Sequence, residues 1–437
     1  MLLGVVSAFD AATDTGGRDE VFRWSAAEGL VTFGAEDPLG SRIGTTDSCA
    51  GRSPGICPDN RQVSRDGRNV FGLLLPKGGD APSAGNDGIS LFRWRAGAGY
   101  TVFGPPNLRG GQFDLVSADG SAAVGLFTVD PAFSEYHVFR WTEAAGFASL
   151  TSLAGWSFPD EPFVAHEPFA MSRDGRVLLG LDFAWSESSG VTQIGPPVGA
   201  AGACGATVLS GDGQVAFGAC VADPAQPAAM PPLGYRWTRE SGSTSIGACA
   251  VSQSTADGAV AVGYFAEAFV RWTASDGCVM TPPPPEAAPG GTHYLQLLND
   301  TLSRDGRVVL GHLRRKDETG VEGVRWTEGT GFVKLSFLPG HGISAVASGT
   351  RDGAFQAGYS ATAGRRERKA VIWDSSGVRD VASELLAAGV ELHGMELNQA
   401  EFVWARDGEP IMVVGLGAVV DGGDTRSRAW IAWLPRR

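Results

Sequence analysis

The chain has 437 residues, of which 62 are Gly and 19% are charged, and its formal net charge is −13. This acidic balance argues against nucleic-acid binding, which depends on clustered Lys and Arg. The best apolar candidate for a membrane span, residues 411–420, is far shorter than the roughly 20 residues that a transmembrane helix needs. Abundant Gly with few charges is instead typical of many short strands joined by tight turns.

One turn motif recurs along the chain, with Ser, Thr or Ala two residues before an Asp-Gly pair. Its Asp residues are separated by 53, 55, 38, 45, 48, 47 and 55 residues, which is the period of a propeller blade. Asp-Gly indicates a hairpin, because Gly accepts a positive φ and Asp bonds its own backbone. We therefore interpret the Asp as part of the turn, not as a catalytic or calcium-binding group. The Asp residues are Asp66, Asp119, Asp174, Asp212, Asp257, Asp305, Asp352 and Asp407.

Each turn is followed by a short apolar run ending in Gly, an aromatic strand ending in Trp, and a Gly-led last strand. These runs predict four antiparallel strands per repeat, named a to d. We expect an all-β fold, a single β-propeller of four-stranded antiparallel blades that spans residues 1–437. Counting the Trp strands gives nine units, with the first and last incomplete. Eight blades are favoured, with nine or seven as alternatives.

An Arg precedes the Trp of most aromatic strands. One hypothesis pairs this Arg with the turn Asp of its own blade. Units four and eight carry Ala184 and Ile372 at the Arg position but keep their turn Asp, so the pairing would be optional.

In repeat phase, residues 1–4 match residues 177–180, so the chain begins inside strand b of its first blade. We expect the true start to lie upstream. That missing segment would supply a signal peptide and a strand that completes the last blade, which would remove open sheet edges. The alternative is a genuine short start with an open first blade.

The six cysteines form an even set that fits three disulfides in an oxidising compartment. Cys204 and Cys220 each lie eight residues from Asp212, so we expect them to face each other across the unit-five hairpin. Cys49 and Cys57 bracket one loop and could close it. Cys249 with Cys278 follows only by elimination, and six cysteines allow 15 connectivities. Buried free thiols are the alternative.

The b–c and d–a connections vary in length, whereas the a–b and c–d turns are nearly uniform. In a repeat fold, such variation on one face often marks the binding face. Exposed aromatic residues beside carboxylates suit the recognition of a sugar or a peptide, although these rings could instead seal the disc. The candidate ligand residues, all in unit three, are Tyr136, His137, Trp156, Phe158, Asp160, Glu161, Phe163 and His166.

No nucleophile-elbow, zinc-protease, phosphate-loop or dinucleotide motif is present. The six histidines are scattered among units without ligand spacing, so we predict no metal, no cofactor and no catalytic residue.

The turn motif, the apolar run to Gly and the Phe-x-Trp strand together resemble the HAF-repeat family of bacterial extracellular repeat proteins. Residues 137–141, His-Val-Phe-Arg-Trp, come closest to the family's His-Ala-Phe. Residues 381–390 look like its short helix before the final repeat, predicted here over about 381–389, and residues 429–435 look like its characteristic ending. The resemblance implies an exported, often surface-associated protein, and it carries no catalytic residues.

The sequence therefore predicts an exported or surface-associated binding or scaffold propeller that is not an enzyme. Its expected partner is an extracellular glycan, peptide or protein, and the chain is expected to be a monomer without a membrane span. The alternatives are a passive structural repeat of the envelope and a propeller glycosidase or lyase.

Overall fold

The computed structural model of the chain is built almost entirely from antiparallel sheets. Its contacts divide the chain into two compact units. The structure describes residues 2–7, 19–25, 29–32, 42–43, 64, 68–75, 90–95, 97–130, 132, 135–150, 168–200, 202–221, 233–265, 268–288, 291–298, 301–317, 320–365, 367–421 and 424–436.

Unit 1 comprises Met1–Gly195 with Gly211–Gly213. Its described residues form one three-stranded sheet followed by three four-stranded sheets. In chain order the strands are β1 (Leu2–Ser7), β2 (Asp19–Ser25), β3 (Gly29–Thr32); β4 (Arg42–Ile43), β5 (Asn69–Leu75), β6 (Ser90–Arg95), β7 (Gly99–Phe103); β8 (Gly110–Val116), β9 (Ala122–Thr128), β10 (His137–Thr142), β11 (Gly146–Ser149); and β12 (Ala170–Met171), β13 (Val177–Leu179), β14 (Phe183–Ser186), β15 (Gly190–Gln193).

Unit 2 comprises Pro196–Ser210 with Gln214–Arg437. Its described residues form four four-stranded sheets and a last sheet of three strands. The strands are β16 (Ala203–Leu209), β17 (Val215–Val221), β18 (Leu233–Thr238), β19 (Gly242–Gly247); β20 (Gln253–Ser254), β21 (Val260–Phe265), β22 (Ala268–Thr273), β23 (Gly277–Thr281); β24 (His293–Leu297), β25 (Val308–Arg315), β26 (Val321–Thr327), β27 (Gly331–Lys334); β28 (Ile343–Gly349), β29 (Gln356–Ala361), β30 (Arg368–Asp374), β31 (Gly377–Asp380); and β32 (Met395–Trp404), β33 (Ile411–Asp421), β34 (Asp424–Leu434).

Within every sheet, strands that are consecutive in sequence pair antiparallel, as in a propeller blade. The predicted all-β propeller class is thereby confirmed. Among the described residues, the first sheet has strands b, c and d, and the last sheet has strands a, b and c. This matches the prediction that the first and last repeats are incomplete. Seven complete and two incomplete sheets among the described residues are compatible with the favoured count of eight blades. The assignment of residues 1–437 to one domain stays a prediction.

The Ser-x-Asp-Gly turn is held by its own side chains. The Ser303 hydroxyl donates to Asp305 Oδ1 at 2.7 Å and accepts the Val308 N–H at 2.8 Å. Burial alone would raise the pKa of Asp305, but hydrogen bonds from Ser303 and the Arg307 N–H lower it below the ordinary value. The same hydroxyl-to-Asp bond forms in the turns of Asp119, Asp174, Asp257 and Asp352. The repeated Asp is therefore used by the turn.

Arg93, Arg140 and Arg271, which each precede a Trp, contact residues of the next sheet. For these arginines the hypothesis of pairing with the turn Asp of their own blade is wrong. Arg140 in β10 lies with its guanidinium carbon 5.3 Å from the Trp185 ring centroid, pairs with Glu187 and donates to the Gly175 carbonyl. Arg93 does the same with Trp141 and Glu143. The turn Asp already accepts hydrogen bonds within its own hairpin. The Trp ring of the next sheet, and the Glu two residues after that Trp, are the groups that the arginine contacts instead.

One described α-helix, α1 (Val381–Ala387), lies within the segment for which the sequence predicts a helix. The Asp380 carboxylate caps it by accepting the N–H groups of Ala382 and Ser383. No described helix is both long and apolar enough to cross a membrane.

A buried arginine, Arg379, ties α1 to the surrounding strands. Its guanidinium contacts Asp374 at 2.9 Å and Glu384 at 2.6 Å and donates to the Pro435 carbonyl at 2.9 Å. Burial alone would raise the pKa of Asp374, but bonds from Ser376 and Arg379 lower it on balance. Helix, sheet and the end of β34 are thus joined by one charge cluster.

Two of the expected disulfides are present. Cys204 pairs with Cys220, its direct partner in the register of β16 and β17, and Cys249 pairs with Cys278. Cys49 and Cys57 lie outside the described residues. Two disulfides are compatible with an extracellular or periplasmic location.

Candidate functional site

A cavity of about 230 Å³ lies among the last three sheets of unit 2. Small or aliphatic side chains form part of its wall, and four polar side chains form the rest. A β-bulge between Val346 and Ser348 of β28 lies in this wall and leaves Ala347 unpaired in the ladder. The lining residues are His312, Arg314, Val321, Ala345, Val346, Ala347, Tyr359 and Gln399.

His312, in β25, is held as a neutral base. Burial lowers the pKa of its imidazole, the bond to the Val346 carbonyl raises it, and nearby Arg314 lowers it, with a net result below the ordinary 6.5. Its Nε2 lies 2.8 Å from that carbonyl oxygen. A carbonyl can only accept, so Nε2 carries the proton and Nδ1 of the neutral ring keeps a lone pair. In the described part of the chain, Nδ1 makes no hydrogen bond.

Gly323 of β26 lies close to both His312 and β28. It lies directly opposite His312 in the register of β25 and β26. A Cβ at Gly323 would stand 3.2 Å from the Leu335 side chain and 3.4 Å from the Val346 nitrogen, so a side chain here would be in tight contact with both. The Gly323 N–H also donates to the buried Ser344 hydroxyl at 3.1 Å. The lack of a side chain at this position thus leaves β26 and β28 closely packed beside the imidazole.

Arg314 supplies a positive charge on the same face of β25. Residues two apart in a strand point to one side, and the buried Leu313 between them points to the other. Arg314 Nη1 lies 3.5 Å from Gln296 Oε1 of β24, a weak contact. Gln399, in β32 of the last sheet, donates from Nε2 to Glu401 Oε1 at 2.6 Å.

The lining allows some reactions and disfavours others. It contains a neutral base, a cation, a phenol and an amide, but no Ser, Thr, Cys, Asp or Glu. Covalent acyl transfer needs a hydroxyl or thiol nucleophile, and glycoside hydrolysis usually needs two carboxyl groups. The arrangement suits abstraction of a proton by His312 beside a group that carries or develops negative charge.

The structure describes only two of the ligand residues that the sequence predicts in the third repeat. Tyr136 and His137 are half-buried; the His137 ring lies 5.3 Å from Phe127, and its Nε2 lies 3.5 Å from Glu135 Oε1. Their role in ligand binding stays a prediction. The other six, Trp156, Phe158, Asp160, Glu161, Phe163 and His166, lie outside the described residues.

Sequence reasoning missed His312, Arg314, Tyr359 and Gln399. One signal was available, since Gly323 stands where the Trp strands of other units have Leu91, Val138 or Phe269. Gly234 occupies the same place in the fifth repeat, but its partner in the sheet register is Ala219, not a polar residue. A Gly opposite a His is the distinguishing combination.

No protein-family model matches the chain, and no curated protein matches its sequence. Several solved structures are similar to it. An oligogalacturonate lyase in complex with manganese is 11% identical, with a TM-score of 0.40 over 100% of this chain and 97% of that one. The β-propeller domain of the Trilobed protease from Pyrococcus furiosus is 9% identical, with a TM-score of 0.35 over 85% and 95%.

A structure from work on two prolyl endopeptidases is 12% identical, with a TM-score of 0.39 over 82% of this chain. The chain spans 53% of the length of that structure. At these identities and TM-scores the likeness concerns the fold alone and assigns no activity.

The prediction of a non-catalytic scaffold that is not an enzyme is corrected by these comparisons. The similar solved structures include peptidases and a lyase, so a propeller fold does not indicate an absence of catalysis. The prediction rested on missing sequence motifs. Such motifs are local in sequence, whereas the polar residues of this cavity come from strands of three different sheets.

Proposed function

We propose that the chain is a carbohydrate lyase in which His312 abstracts a proton from a substrate bound in the cavity of unit 2. The observation that carries the proposal is the tautomer of His312. Its Nε2–H is engaged by the Val346 carbonyl at 2.8 Å, which leaves Nδ1 as a base in a ring that burial keeps neutral. Elimination needs such a base and needs neither a nucleophile nor a pair of carboxylates.

The polar lining supports a carbohydrate substrate. Four side chains that can donate or accept hydrogen bonds surround a cavity of about 230 Å³, which suits a hydroxylated ring more than an apolar group. These side chains lie on strands, not on loops, so their positions are set by sheet register, which favours a defined binding geometry.

We further propose that the protein is exported. The disulfides Cys204–Cys220 and Cys249–Cys278 support an oxidising compartment, where polymeric carbohydrates are available as substrates. The HAF-repeat resemblance of the turn and Trp strands supports the same location.

The test is an assay of wild-type protein and His312→Gln against a panel of acidic and neutral polysaccharides. Elimination creates a carbon–carbon double bond at the new chain end, which is followed by its ultraviolet absorbance. We expect His312→Gln to lower kcat by about 10²–10⁴-fold, the usual contribution of a positioned general base. His393→Gln is the matched control, because the His393 side chain is 82% exposed.

Two outcomes would count against the lyase. One is full activity in His312→Gln, and the other is the appearance of new reducing ends without any double bond, which would indicate hydrolysis.

The pH dependence of kcat/KM gives a second readout. The neutral imidazole is the active form, so activity is present above the pKa of His312 and lost as the pH falls through it. Because burial lowers that pKa below 6.5, we expect the acid limb of the profile to lie below pH 6.5. An acid limb above pH 6.5 would exclude His312 as the base.

A further inference from the structure

The cavity contains a cation, Arg314, that no carboxylate of the described residues neutralises. Arg314 is the one positively charged residue among the eight that line the cavity. In the described residues it has no carboxylate partner, and its contact with Gln296 Oε1 is long, at 3.5 Å. A guanidinium placed in a cavity without an internal anion is suited to bind an external one.

Three other arginines of unit 2 do have carboxylate partners. Arg315, the next residue along β25, contacts Asp317 at 3.0 Å. Arg271 contacts Glu328 at 2.9 Å, and Arg379 contacts two carboxylates. Arg314 differs from these three arginines in having no carboxylate partner among the described residues.

We propose that the substrate of the cavity is a glycan of uronic acids, whose carboxylate is bound by Arg314. This inference rests on the proposed lyase function and names its substrate class. Guanidinium and carboxylate match as a planar, bidentate pair, which neutral sugars cannot form.

The spacing on β25 fits this assignment. His312 and Arg314 are two residues apart on one face of the strand, so their Cα atoms are roughly 7 Å apart. In a uronic acid, the carboxylate carbon is bonded directly to the carbon that bears the acidic C–H. A ring whose carboxylate contacts Arg314 can therefore direct that C–H toward His312.

The chemical step balances without a cofactor. His312 Nδ1 takes the proton from the carbon next to the carboxylate, and the electron pair of that C–H bond forms the new double bond. The bond from the neighbouring carbon to the glycosidic oxygen breaks, and this oxygen takes a proton from water. Negative charge builds up on the carboxylate during proton removal, and the Arg314 guanidinium stabilises it there.

Binding can be measured apart from turnover by isothermal titration calorimetry in the His312→Gln background, which lacks the base. The probes are trisaccharides of galacturonate and of glucuronate, their methyl esters, and the corresponding neutral trisaccharides. We expect at least one acidic trisaccharide to bind about tenfold or more tightly than its ester and its neutral counterpart. Adding Arg314→Gln should abolish this preference, and adding Arg315→Gln, the matched control, should keep it.

A second variant guards against misfolding of Arg314→Gln. Arg314→Lys keeps the charge but loses the planar fork, so it should retain part of the preference for the acid. Equal affinity for acid, ester and neutral sugar, binding of none of them, or an acid preference that survives Arg314→Gln would each overturn the inference.

The two proposals can fail separately. If acidic trisaccharides bind through Arg314 but wild-type protein forms no double bond from them, the substrate class stands as a ligand class and the lyase function is wrong. If a double bond forms and Arg314→Gln leaves both kcat/KM and the acid preference unchanged, the lyase function stands and the role of Arg314 is wrong.

Discussion

Two arginines of unit 2 lie in opposite environments. The Arg379 side chain is 2% exposed and contacts two carboxylates and a backbone carbonyl. Arg314 lines a cavity, and in the described residues its polar contact is a long one to an amide oxygen. A charge that is fully compensated within the chain contributes to the fold. A charge beside a cavity that has no carboxylate partner among the described residues is expected to contribute little to stability, and it is the kind of group that can bind an external anion.

The largest effect that this comparison predicts is on stability, for Arg379→Ala. Removing the guanidinium leaves Asp374 and Glu384 without their cation, with side chains only 6% and 11% exposed. We expect the free energy of unfolding to fall by about 3–5 kcal/mol, the usual cost of breaking a buried ion pair. Urea denaturation monitored by tryptophan fluorescence measures the change, and a loss below about 1 kcal/mol would show that the cluster is not tightly coupled.

A smaller loss is expected for Arg140→Ala, in which the arginine links two sheets. Arg140 is buried and contacts the Trp185 ring and the Gly175 carbonyl, but its partner Glu187 is 65% exposed. Solvent screens the ion pair, so we expect a loss of about 2 kcal/mol, mostly from the ring and carbonyl contacts. Urea denaturation measures this loss as well. Arg176→Ala is the control, because the Arg176 side chain is 81% exposed. Equal effects of the two substitutions would argue against a link between sheets.

The smallest effect on stability is expected for Arg314→Gln. Because Arg314 has no carboxylate partner in the described residues, we expect the free energy of unfolding to change by less than about 0.5 kcal/mol. The ligand experiments above should respond strongly to the same substitution. A loss of stability similar to that of Arg379→Ala would mean that Arg314 serves the fold.

The sequence predicted what repetition makes visible. The equal distances of Cys204 and Cys220 from Asp212 predicted their pairing, because a hairpin places residues equidistant from its turn opposite each other. The Asp of the turn was likewise interpreted correctly as part of the hairpin, since its partner Ser303 lies in the same short segment. Local patterns of this kind need no knowledge of how one sheet meets the next.

Contacts between side chains of different repeats could not be predicted from local sequence patterns. His312 and Val346 are 34 residues apart, and their bond joins strands of two different sheets. The partner of Arg140 was missed for the same reason, because Glu187 belongs to the next repeat. The sequence also places Tyr359 and Gln399 in different repeats, so no local pattern connects them with His312.

The arginines that link one sheet to the next also set an order for assembly. Glu143 follows its partner Arg93 by 50 residues, and Glu187 follows Arg140 by 47. If the chain emerges from its N-terminus, from the ribosome or from an export channel, these two sheets gain the partners of their arginines only when the next repeat has followed. The two sheets are thus expected to reach their final stability one repeat after their own strands have paired.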